Sequence, residues 1–348
     1  MKKVGVVTYW YARNVGALLQ NYALVTFLNN LGIRAYTYKF KAEKFSLKRI
    51  IKNILIRFKL GRFLKKPVDE GIFKKFRKKY IRNYTRSKDL DFYVCGSDQI
   101  WNLTVIRNKE LSQILFLQFV NKFKRVSYAA SIARSSIAAE YVERYRKYLE
   151  DFRVISVREE SAKDLIEDVV GLDAVVHIDP VFLLTAEQWR KIQKKSLHKS
   201  GKYVLGFFLG EFAPHSEMLF EFARKNNAEL KIVSFCTNCK DYEIKINSIN
   251  EFLNLIDGAE CIFTDSFHGT AFSIIHQKQF YSVKRVQAKC PDMTSRIDNL
   301  FSLFGINRWM ETNDIFEKNQ QIDYTGFEEI INRERKRTEK YFKEILEL

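Results

Sequence analysis

The sequence predicts an α/β protein made of two Rossmann-like halves. Short apolar segments alternate with segments of helical periodicity, which is the pattern of parallel sheets covered by helices. The alternation runs in two series that meet near residues 184–202. The 348 residues also exceed the roughly 250–300 at which a single core stops growing. We therefore predict an N-terminal Rossmann-like domain over residues 1–184 and a C-terminal one over residues 185–348.

The first half opens with a strand, a helix and a second strand, predicted at residues 3–10, 14–31 and 33–40. Asn14 is a suitable N-cap for the helix, and Gly32 suits the position just after its last turn. Two strands joined through a helix form the unit from which parallel sheets are built.

The remaining elements continue this alternation. Further strands are predicted at residues 92–96, 125–130, 154–157 and 175–178 in the first half, and at 203–209, 230–235, 261–264 and 280–283 in the second. Helices are predicted at residues 140–149, 161–168, 216–225, 249–256 and 270–277, and a charged amphipathic helix over 327–348 ends the C-terminal domain.

The formal net charge of +18 indicates an anionic partner. Much of this charge lies in a basic insertion over residues 46–88, where only Asp69 and Glu70 oppose the lysines and arginines. Apolar residues at helical intervals, such as Ile50, Ile54 and Phe58, predict a basic amphipathic helix that could lie on an anionic membrane surface. The alternative is an exposed helical face with ordinary core contacts.

The sequence favours a cytoplasmic protein. We interpret the amino terminus as a first strand because its apolar run is too short for an export signal. No segment approaches the roughly 20 apolar residues of a membrane helix, and five cysteines spread along the chain suit a reducing compartment. The basic insertion leaves open a peripheral position at the inner face of the plasma membrane. No RRM, KH or helix-turn-helix signature supports nucleic-acid binding.

The most informative motif is TDSFHGTAF at residues 264–272, where an apolar strand ends and a helix begins. Ligands of parallel sheets bind at the carboxyl ends of strands, and a helix N-terminus offers N–H groups to an anion. His268 can exchange a proton near neutral pH. Gly269 would let a ligand approach the backbone closely. This position favours a functional His268 over a structural one.

A second motif, GSDQIWN at residues 96–102, also follows a predicted strand. Its carboxylate, amide and indole, from Asp98, Gln99 and Trp101, suit sugar hydroxyls and ring faces. The alternative is a turn in which Asp98 caps the next helix and Trp101 packs inward.

Two weaker signals accompany these motifs. Residues 14–20 open the first helix, at the position where many nucleotide-binding folds place phosphate, but they do not form a GxGxxG. Arg158 follows a predicted strand, and its guanidinium could hold a carboxylate or phosphate in two hydrogen bonds. A salt bridge from Arg158 to Glu159 is the alternative.

Nothing in the sequence predicts a metal site. Cys236 and Cys239 have the spacing of half a zinc site, but no second pair follows. Asp89 and Asp91 match a short metal-binding pattern, yet they precede their strand instead of following it.

Six segments in order resemble the signature blocks of the polysaccharide pyruvyl transferase family. They are NVGALLQNYAL (14–24), GSDQIWN (96–102), SYAAS (127–131), SVRE (156–159), DPVFLL (179–184) and TDSFHGTAFSI (264–274). The resemblance implies a GT-B-like arrangement with phosphoenolpyruvate as a co-substrate in a central cleft, and we expect no cofactor. It implies transfer of the enolpyruvyl group to a sugar of a cell-surface polysaccharide or its lipid-linked precursor, giving a pyruvate ketal and phosphate.

The resemblance also implies roles for the motif residues. We assign His268 and Asp98 to catalysis. The donor and its anionic groups are assigned to Arg158, Ser266, Gly269, Thr270, Asn14, Gly16, Arg285 and Arg296. The acceptor is assigned to Gln99, Trp101 and Gln20. Many relatives carry arginine and leucine where this chain has Ser266 and Phe267, so another cation, from Lys284, Arg285 or Arg296, would have to replace the missing one.

Two other functions remain open from the sequence. A GT-B glycosyltransferase that uses a nucleotide sugar would share the fold and the acceptor class. A non-catalytic basic protein of the membrane surface, or one that binds nucleic acid, would use the insertion alone.

Overall fold

The computed structural model describes residues 1–40, 70–106, 108–196, 198, 201–234, 243–286, 294–311 and 321–348. Within these ranges the first half contains a parallel sheet of five strands in the order β3-β2-β1-β4-β5. The strands are Lys3–Val7 (β1), Arg34–Tyr38 (β2), Tyr84–Thr85 (β3), Phe92–Cys95 (β4) and Arg125–Ser127 (β5). A parallel pair, Ile155–Val157 (β6) and Ala174–Val176 (β7), extends this sheet through a bridge between Ala130 and Val157.

The second half contains a parallel sheet in the order β11-β10-β8-β9. Its strands in the described ranges are Tyr203–Phe208 (β8), Glu229–Ser234 (β9), Cys261–Thr264 (β10) and Gln279–Ser282 (β11). β10 is buried along its length, as expected for a central strand covered on both faces. Each predicted strand is present, and the predicted α/β class with two Rossmann-like sheets is confirmed.

Helices cover the faces of both sheets. In the first half they are Val15–Asn30 (α1), Glu70–Tyr80 (α2), Lys109–Leu115 (α3), Ala139–Leu149 (α4) and Glu160–Asp164 (α5), which continues as a π-helical turn over Leu165–Val170. The later ones are Ala186–Lys191 (α6), Ser216–Lys225 (α7), Ile249–Gly258 (α8), Phe267–Ile275 (α9), Ser295–Phe304 (α10) and Phe327–Ile345 (α11). No helix in the described ranges is long and apolar enough to cross a bilayer.

Local signals set the ends of the helices near the site. The Asn14 side chain accepts a hydrogen bond from the Ala17 N–H at 3.1 Å, so the predicted N-cap is confirmed. Gly32 adopts a left-handed φ of 79° after α1, as predicted. The helix predicted to start at residue 270 starts earlier because Ser266 is its N-cap. His268 therefore lies in the first turn of α9 and not in the loop before it.

The two halves share an apolar interface. The short 3₁₀ turn Pro180–Leu183 packs against α1, and Trp189 contacts both Tyr22 and Phe272. The last helix, α11, returns to the first half: the Tyr341 hydroxyl donates to the Ser127 carbonyl, and Thr338 bonds to Tyr128 at 3.0 Å. The boundary between residues 184 and 185 remains a prediction.

The basic insertion is described only from Glu70 onward, and the helix predicted around residues 50–58 lies outside the described ranges. In α2 the apolar side chains Ile72, Phe73 and Phe76 are buried. The exposed side of α2 carries Lys74, Lys75, Lys78 and Lys79. This part of the insertion thus has ordinary core contacts on one face and a basic surface on the other.

We predict that buried His177 makes the protein less stable in acid. Its Nδ1 bonds to the Ser156 Oγ at 2.9 Å, and burial, with a smaller effect of Arg337, lowers its pKa from 6.5 to about 3. Below pH 6.5 the unfolded chain binds a proton that the folded protein excludes, so the free energy of unfolding falls by up to about 1.4 kcal/mol per pH unit. Urea unfolding between pH 7 and pH 4 measures this slope.

His177→Asn should remove from this slope nearly the whole contribution of one proton, which is about 1.4 kcal/mol per pH unit. His198→Asn, at a partly exposed histidine, should leave most of the slope unchanged. Identical slopes for the wild type and His177→Asn would show that folding does not lower the pKa of His177.

Candidate active site

A buried ion pair lies at the centre of the site. Arg158 follows β6 and Asp179 follows β7, and Arg158 Nη1 lies 2.7 Å from Asp179 Oδ2. The Ser97 hydroxyl donates to the same oxygen at 3.0 Å, and the Val181 N–H donates to Oδ1 at 3.0 Å. Burial acts to raise the pKa of Asp179, but His268 in its protonated form and the Arg158 guanidinium outweigh it and hold the pKa below its usual value. The carboxylate is therefore ionised at neutral pH.

His268 reaches this pair from the second half. Its Nε2 lies 3.8 Å from Asp179 Oδ2, which is too long for a hydrogen bond, and it has no hydrogen-bond partner among the described residues. Burial lowers the pKa of His268, although Asp179 and Asp98 act in the opposite direction. The imidazole is thus neutral at neutral pH, with one nitrogen available for a ligand.

Gly16 allows the histidine to take this position. The imidazole packs so closely on the first turn of α1 that a Cβ on Gly16 would overlap Nδ1. The structure places Gly16 beneath the proposed acid–base group, and its predicted contact with a bound anion stays a prediction. The first turn of α1 and the first turn of α9 therefore face each other across the two halves.

Arginines surround Phe267, the residue before His268. The Cζ atoms of Arg158 and Arg296 lie 4.3 and 5.9 Å from the centre of its ring. Burial, helped by Arg158, lowers the pKa of Arg296 to about 10, so Arg296 stays charged at neutral pH. Arg285 lies nearby and bonds to Asp265 through Nε at 3.2 Å. Arg296 is thus a buried cation beside Phe267, the residue after the position where many relatives carry arginine.

The described charges of the site nearly cancel. The cations are Arg158, Arg285 and Arg296, and the carboxylates are Asp98, Glu159, Asp179 and Asp265. An anionic ligand would therefore enter a region without excess positive charge while His268 is neutral. Such a ligand favours protonation of His268, because a nearby negative charge raises the pKa of an imidazole.

A cavity of about 270 Å³ lies beside the ion pair. Arg158, Asp179 and Phe267 line it, together with Asn299 and Arg337 from the helices of the second half. The guanidinium of Arg158 thus borders open space as well as the buried carboxylate.

Three predicted donor-binding residues serve to fix α9 in this structure. The Ser266 hydroxyl accepts from the Gly269 N–H at 3.4 Å, and Thr270 bonds to the Ser282 hydroxyl at 2.8 Å. A Cβ on Gly269 would overlap Thr264 of β10. Gly269 thus lets the helix approach the sheet, and its predicted contact with a ligand stays a prediction.

The predicted acceptor residues do not form one surface. Trp101 is fully buried and stacks on Phe116 with ring centres 5.4 Å apart, so the alternative of an inward-packed indole describes it better. Gln20 is also fully buried; it donates to the Thr8 hydroxyl and accepts from the Ser97 N–H. Neither can contact a sugar in this structure. Gln99 is partly exposed.

Asp98 lies at the edge of the site. It has a left-handed φ of 68° and accepts from the Gln99 N–H at 2.9 Å. It caps no helix, contrary to the structural alternative. Its charge acts to raise the pKa of His268 and that of Tyr9. Asp98 is thus close enough to His268 to influence its protonation.

Sequence reasoning gave no role to Asp179, Ser97 or Asp265. Asp179 had the same signal as the residues that were chosen, because it directly follows a predicted strand. Asp265 accepts from the N–H groups of Leu209 and Gly210 at 2.7 and 2.6 Å, and so joins the ends of β8 and β10. Among the described residues, no three potential metal ligands are grouped, and Cys236 and Cys239 lie outside those ranges.

We predict that Asp179→Asn destabilises the protein by about 3–5 kcal/mol, because it removes the closest carboxylate from buried Arg158 and leaves only Glu159, whose Oε1 lies 3.5 Å from Nη2. Glu339→Gln, which removes the exposed partner of Lys343 at 2.7 Å, should cost less than about 1 kcal/mol. Urea unfolding at pH 7 compares the two variants. Equal losses would mean that the Arg158–Asp179 pair is no more important to folding than a surface pair.

The fold has clear counterparts among solved structures. The UDP-GlcNAc 2-epimerase from Neisseria meningitidis, bound to UDP-GlcNAc, is 12% identical; the match covers 99% of each chain with a TM-score of 0.51. The UDP-GlcNAc 2-epimerase from Methanocaldococcus jannaschii is 11% identical, and the match covers 97% of this chain and 99% of that chain with a TM-score of 0.50. At such identities the likeness shows the fold alone, which is the GT-B-like fold predicted.

Sequence comparison identifies the family. No curated protein matches the chain significantly. A family model described as polysaccharide pyruvyl transferase matches residues 14–285. The matched region begins at the N-cap of α1, contains Arg158, Asp179 and His268, and ends at Arg285. The chain therefore belongs to the polysaccharide pyruvyl transferase family, which is a family of transferases.

Proposed function

We propose that this protein transfers the enolpyruvyl group of phosphoenolpyruvate to a saccharide of a cell-surface polysaccharide or its lipid-linked precursor. The observation that carries the proposal is a neutral, buried His268 whose Nε2 has no hydrogen-bond partner in the described chain, beside the arginines around Phe267. Family membership supports the class of reaction. The geometry supports a reaction that needs a mobile proton close to bound anionic groups.

The overall reaction joins two sugar hydroxyls to C2 of phosphoenolpyruvate. Protonation of the C3 methylene gives a methyl group and an oxocarbenium-like C2, which the first hydroxyl attacks as it loses its proton. The C2–O bond to phosphate then breaks, and the second hydroxyl attacks to close the ketal. One hydroxyl proton replaces the proton given to C3, and the other leaves with inorganic phosphate.

His268 is the group we assign to these proton transfers. As a neutral base it can accept a hydroxyl proton, and as an imidazolium it can protonate the C3 methylene. The anionic donor promotes the second state, because its charge raises the pKa of the imidazole. Asp98 acts in the same direction from the edge of the site. Asp179 is assigned a positioning role, since it is already bonded to Arg158 and Ser97.

The donor's anionic groups are assigned to arginines. Arg158 and Arg296 flank Phe267, and Arg158 lines the 270 Å³ cavity. Guanidinium groups match carboxylate and phosphate in two parallel hydrogen bonds. Arg285 is oriented by two hydrogen bonds to Asp265. We propose that Arg296, which is buried, replaces the cation that is missing at Ser266.

We predict that His268→Ala abolishes acceptor-dependent release of phosphate from phosphoenolpyruvate. The loss should be at least about 100-fold, the usual contribution of a positioned acid–base group, while the far-ultraviolet circular dichroism stays unchanged. His198→Ala, at a histidine outside the site, is the matched control. The assay uses a panel of lipid-linked saccharides as acceptors. Near-normal turnover by His268→Ala would remove His268 from the mechanism.

The same assay tests the main rival function. A GT-B glycosyltransferase would release a nucleotide from a nucleotide sugar, and a structural counterpart from Neisseria meningitidis is bound to UDP-GlcNAc. The proposal predicts phosphate release with phosphoenolpyruvate and no nucleotide release with UDP-sugars. Nucleotide release with UDP-sugars and no phosphate release with phosphoenolpyruvate would show that the donor is a nucleotide sugar.

We also propose that the basic insertion holds the enzyme at an anionic membrane, where a lipid-linked acceptor would lie. Since the apolar face of α2 is buried in the core, attraction by α2 can only be electrostatic. Lys74, Lys75, Lys78 and Lys79 are exposed on α2, and each well-placed lysine contributes about 1 kcal/mol.

We predict that the wild type co-sediments with phosphatidylserine-containing vesicles at low salt. Replacing the four exposed α2 lysines with glutamine should weaken partitioning by roughly 100-fold or more. Glutamine at Lys191, Lys225, Lys284 and Lys340, which are scattered over the surface, provides the charge-matched control. Equal losses for both sets would mean that net charge alone, and not α2, attracts the membrane.

A further inference from the structure

The most distinctive unassigned feature is a cavity of about 600 Å³ on the first half. It lies at the carboxyl end of β2, between that strand and α3. Cations line it at Lys39, Arg86 and Lys88, and aromatic side chains line it at Tyr38, Phe40 and Phe119. Glu110 is the acidic residue of the described lining. The cavity thus combines an excess of positive charge with aromatic walls.

Aromatic side chains connect this cavity to the candidate active site. Tyr9 is close enough to Asp98 for that carboxylate to help raise its pKa, although burial is the main cause. The ring of Tyr9 lies 6.3 Å from that of Tyr11, which lies 5.7 Å from that of Phe40. Trp10 contacts Tyr11 at 5.6 Å. We call Tyr9, Trp10 and Tyr11 the aromatic strip.

The strip and the cavity lie along the same edge of the first sheet. The strip follows β1, Phe40 follows β2, and Asp98 follows β4; these strands are parallel neighbours. The side chains of the strip are partly exposed. Lys39 joins the two features, because its Nζ lies 5.1 Å from the ring of Trp10 and 4.4 Å from that of Tyr84. A ligand that starts at Asp98 would therefore reach the cavity by crossing aromatic rings.

We infer that the strip and the cavity bind the saccharide acceptor as a glycosyl phosphate or diphosphate. Aromatic rings suit the apolar faces of sugars, and Lys39, Arg86 and Lys88 suit phosphate. The sugar to be modified would lie near Asp98 and His268, with the phosphate in the cavity. The inference rests on the proposed function for the direction of the ligand, and it takes the place of acceptor contacts by Trp101 and Gln20, which are buried.

Binding measurements test this inference without requiring turnover. By isothermal titration calorimetry at low salt, inorganic pyrophosphate should bind the wild-type protein. The double variant Arg86→Gln/Lys88→Gln should bind it at least about tenfold more weakly, since two charge-assisted contacts to phosphate are lost. The control Lys191→Gln/Lys340→Gln, which removes two exposed charges elsewhere, should bind it normally. No binding to the wild type, or equal losses in both variants, would overturn the inference.

Two further ligands test the sugar contact and distinguish the sources of the phosphate. Tyr11→Ala should weaken binding of glucose linked through diphosphate to a short polyprenyl chain, and leave pyrophosphate binding unchanged. If this variant binds both ligands as tightly as the wild type does, the strip has no role in binding. UDP-glucose serves as the nucleotide-linked counterpart. Tighter binding of the polyprenyl ligand would assign the site to a lipid-linked saccharide, and tighter binding of UDP-glucose to a nucleotide-linked one.

Phosphoenolpyruvate separates this inference from the proposed function. If it binds the wild type and Arg86→Gln/Lys88→Gln equally, the cavity is distinct from the donor site, as the inference requires. If phosphoenolpyruvate binds neither the wild type nor the variant, while pyrophosphate binding still depends on Arg86 and Lys88, the donor assignment fails and the cavity assignment stands. Loss of phosphoenolpyruvate binding in that variant alone would make the cavity the donor site and overturn the inference.

Discussion

The buried ion pair between Arg158 and Asp179 is the constraint on which the site depends. Two charges that leave water lose several kcal/mol of solvation each, and only close contact with additional hydrogen bonds compensates for that loss. Ser97 and the Val181 N–H supply such bonds to Asp179. These contacts fix the ends of β4, β6 and β7, and Val181 lies in the turn that packs on α1. The position of the His268 imidazole follows, since it lies between this pair and Gly16.

Near cancellation of charge explains how the site can hold a neutral imidazole between arginines and carboxylates. Burial outweighs the two carboxylates that act to raise the pKa of His268. A bound anion would change this balance without any movement of the protein. The site is therefore suited to couple arrival of an anionic substrate to uptake of a proton, and this coupling links the fold to the proposed chemistry.

Periodicity in the sequence predicted the strands, most of the helices and the positions of the motifs at strand ends. It did not predict the two-residue β3 or the short helices α3 and α6, because such elements depend on tertiary contacts more than on local pattern. The longer helices α2 and α10 were missed as well. It identified His268 and Arg158 but not their shared partner Asp179. It did not show that Trp101 packs inward or that Gly269 lies against β10, because a motif does not reveal which of its faces is buried. Long-range pairing decides those roles.

The protonation of His268 tests the central claim most directly. Nuclear magnetic resonance of the protein with ¹⁵N-labelled histidine, titrated in the presence and absence of phosphoenolpyruvate, reports the pKa of its imidazole, with His268→Gln assigning the signal. The account predicts a pKa below 6.5 in the free protein and a higher one in the complex. A pKa at or above 6.5 in the free protein, or one that phosphoenolpyruvate leaves unchanged, would contradict it.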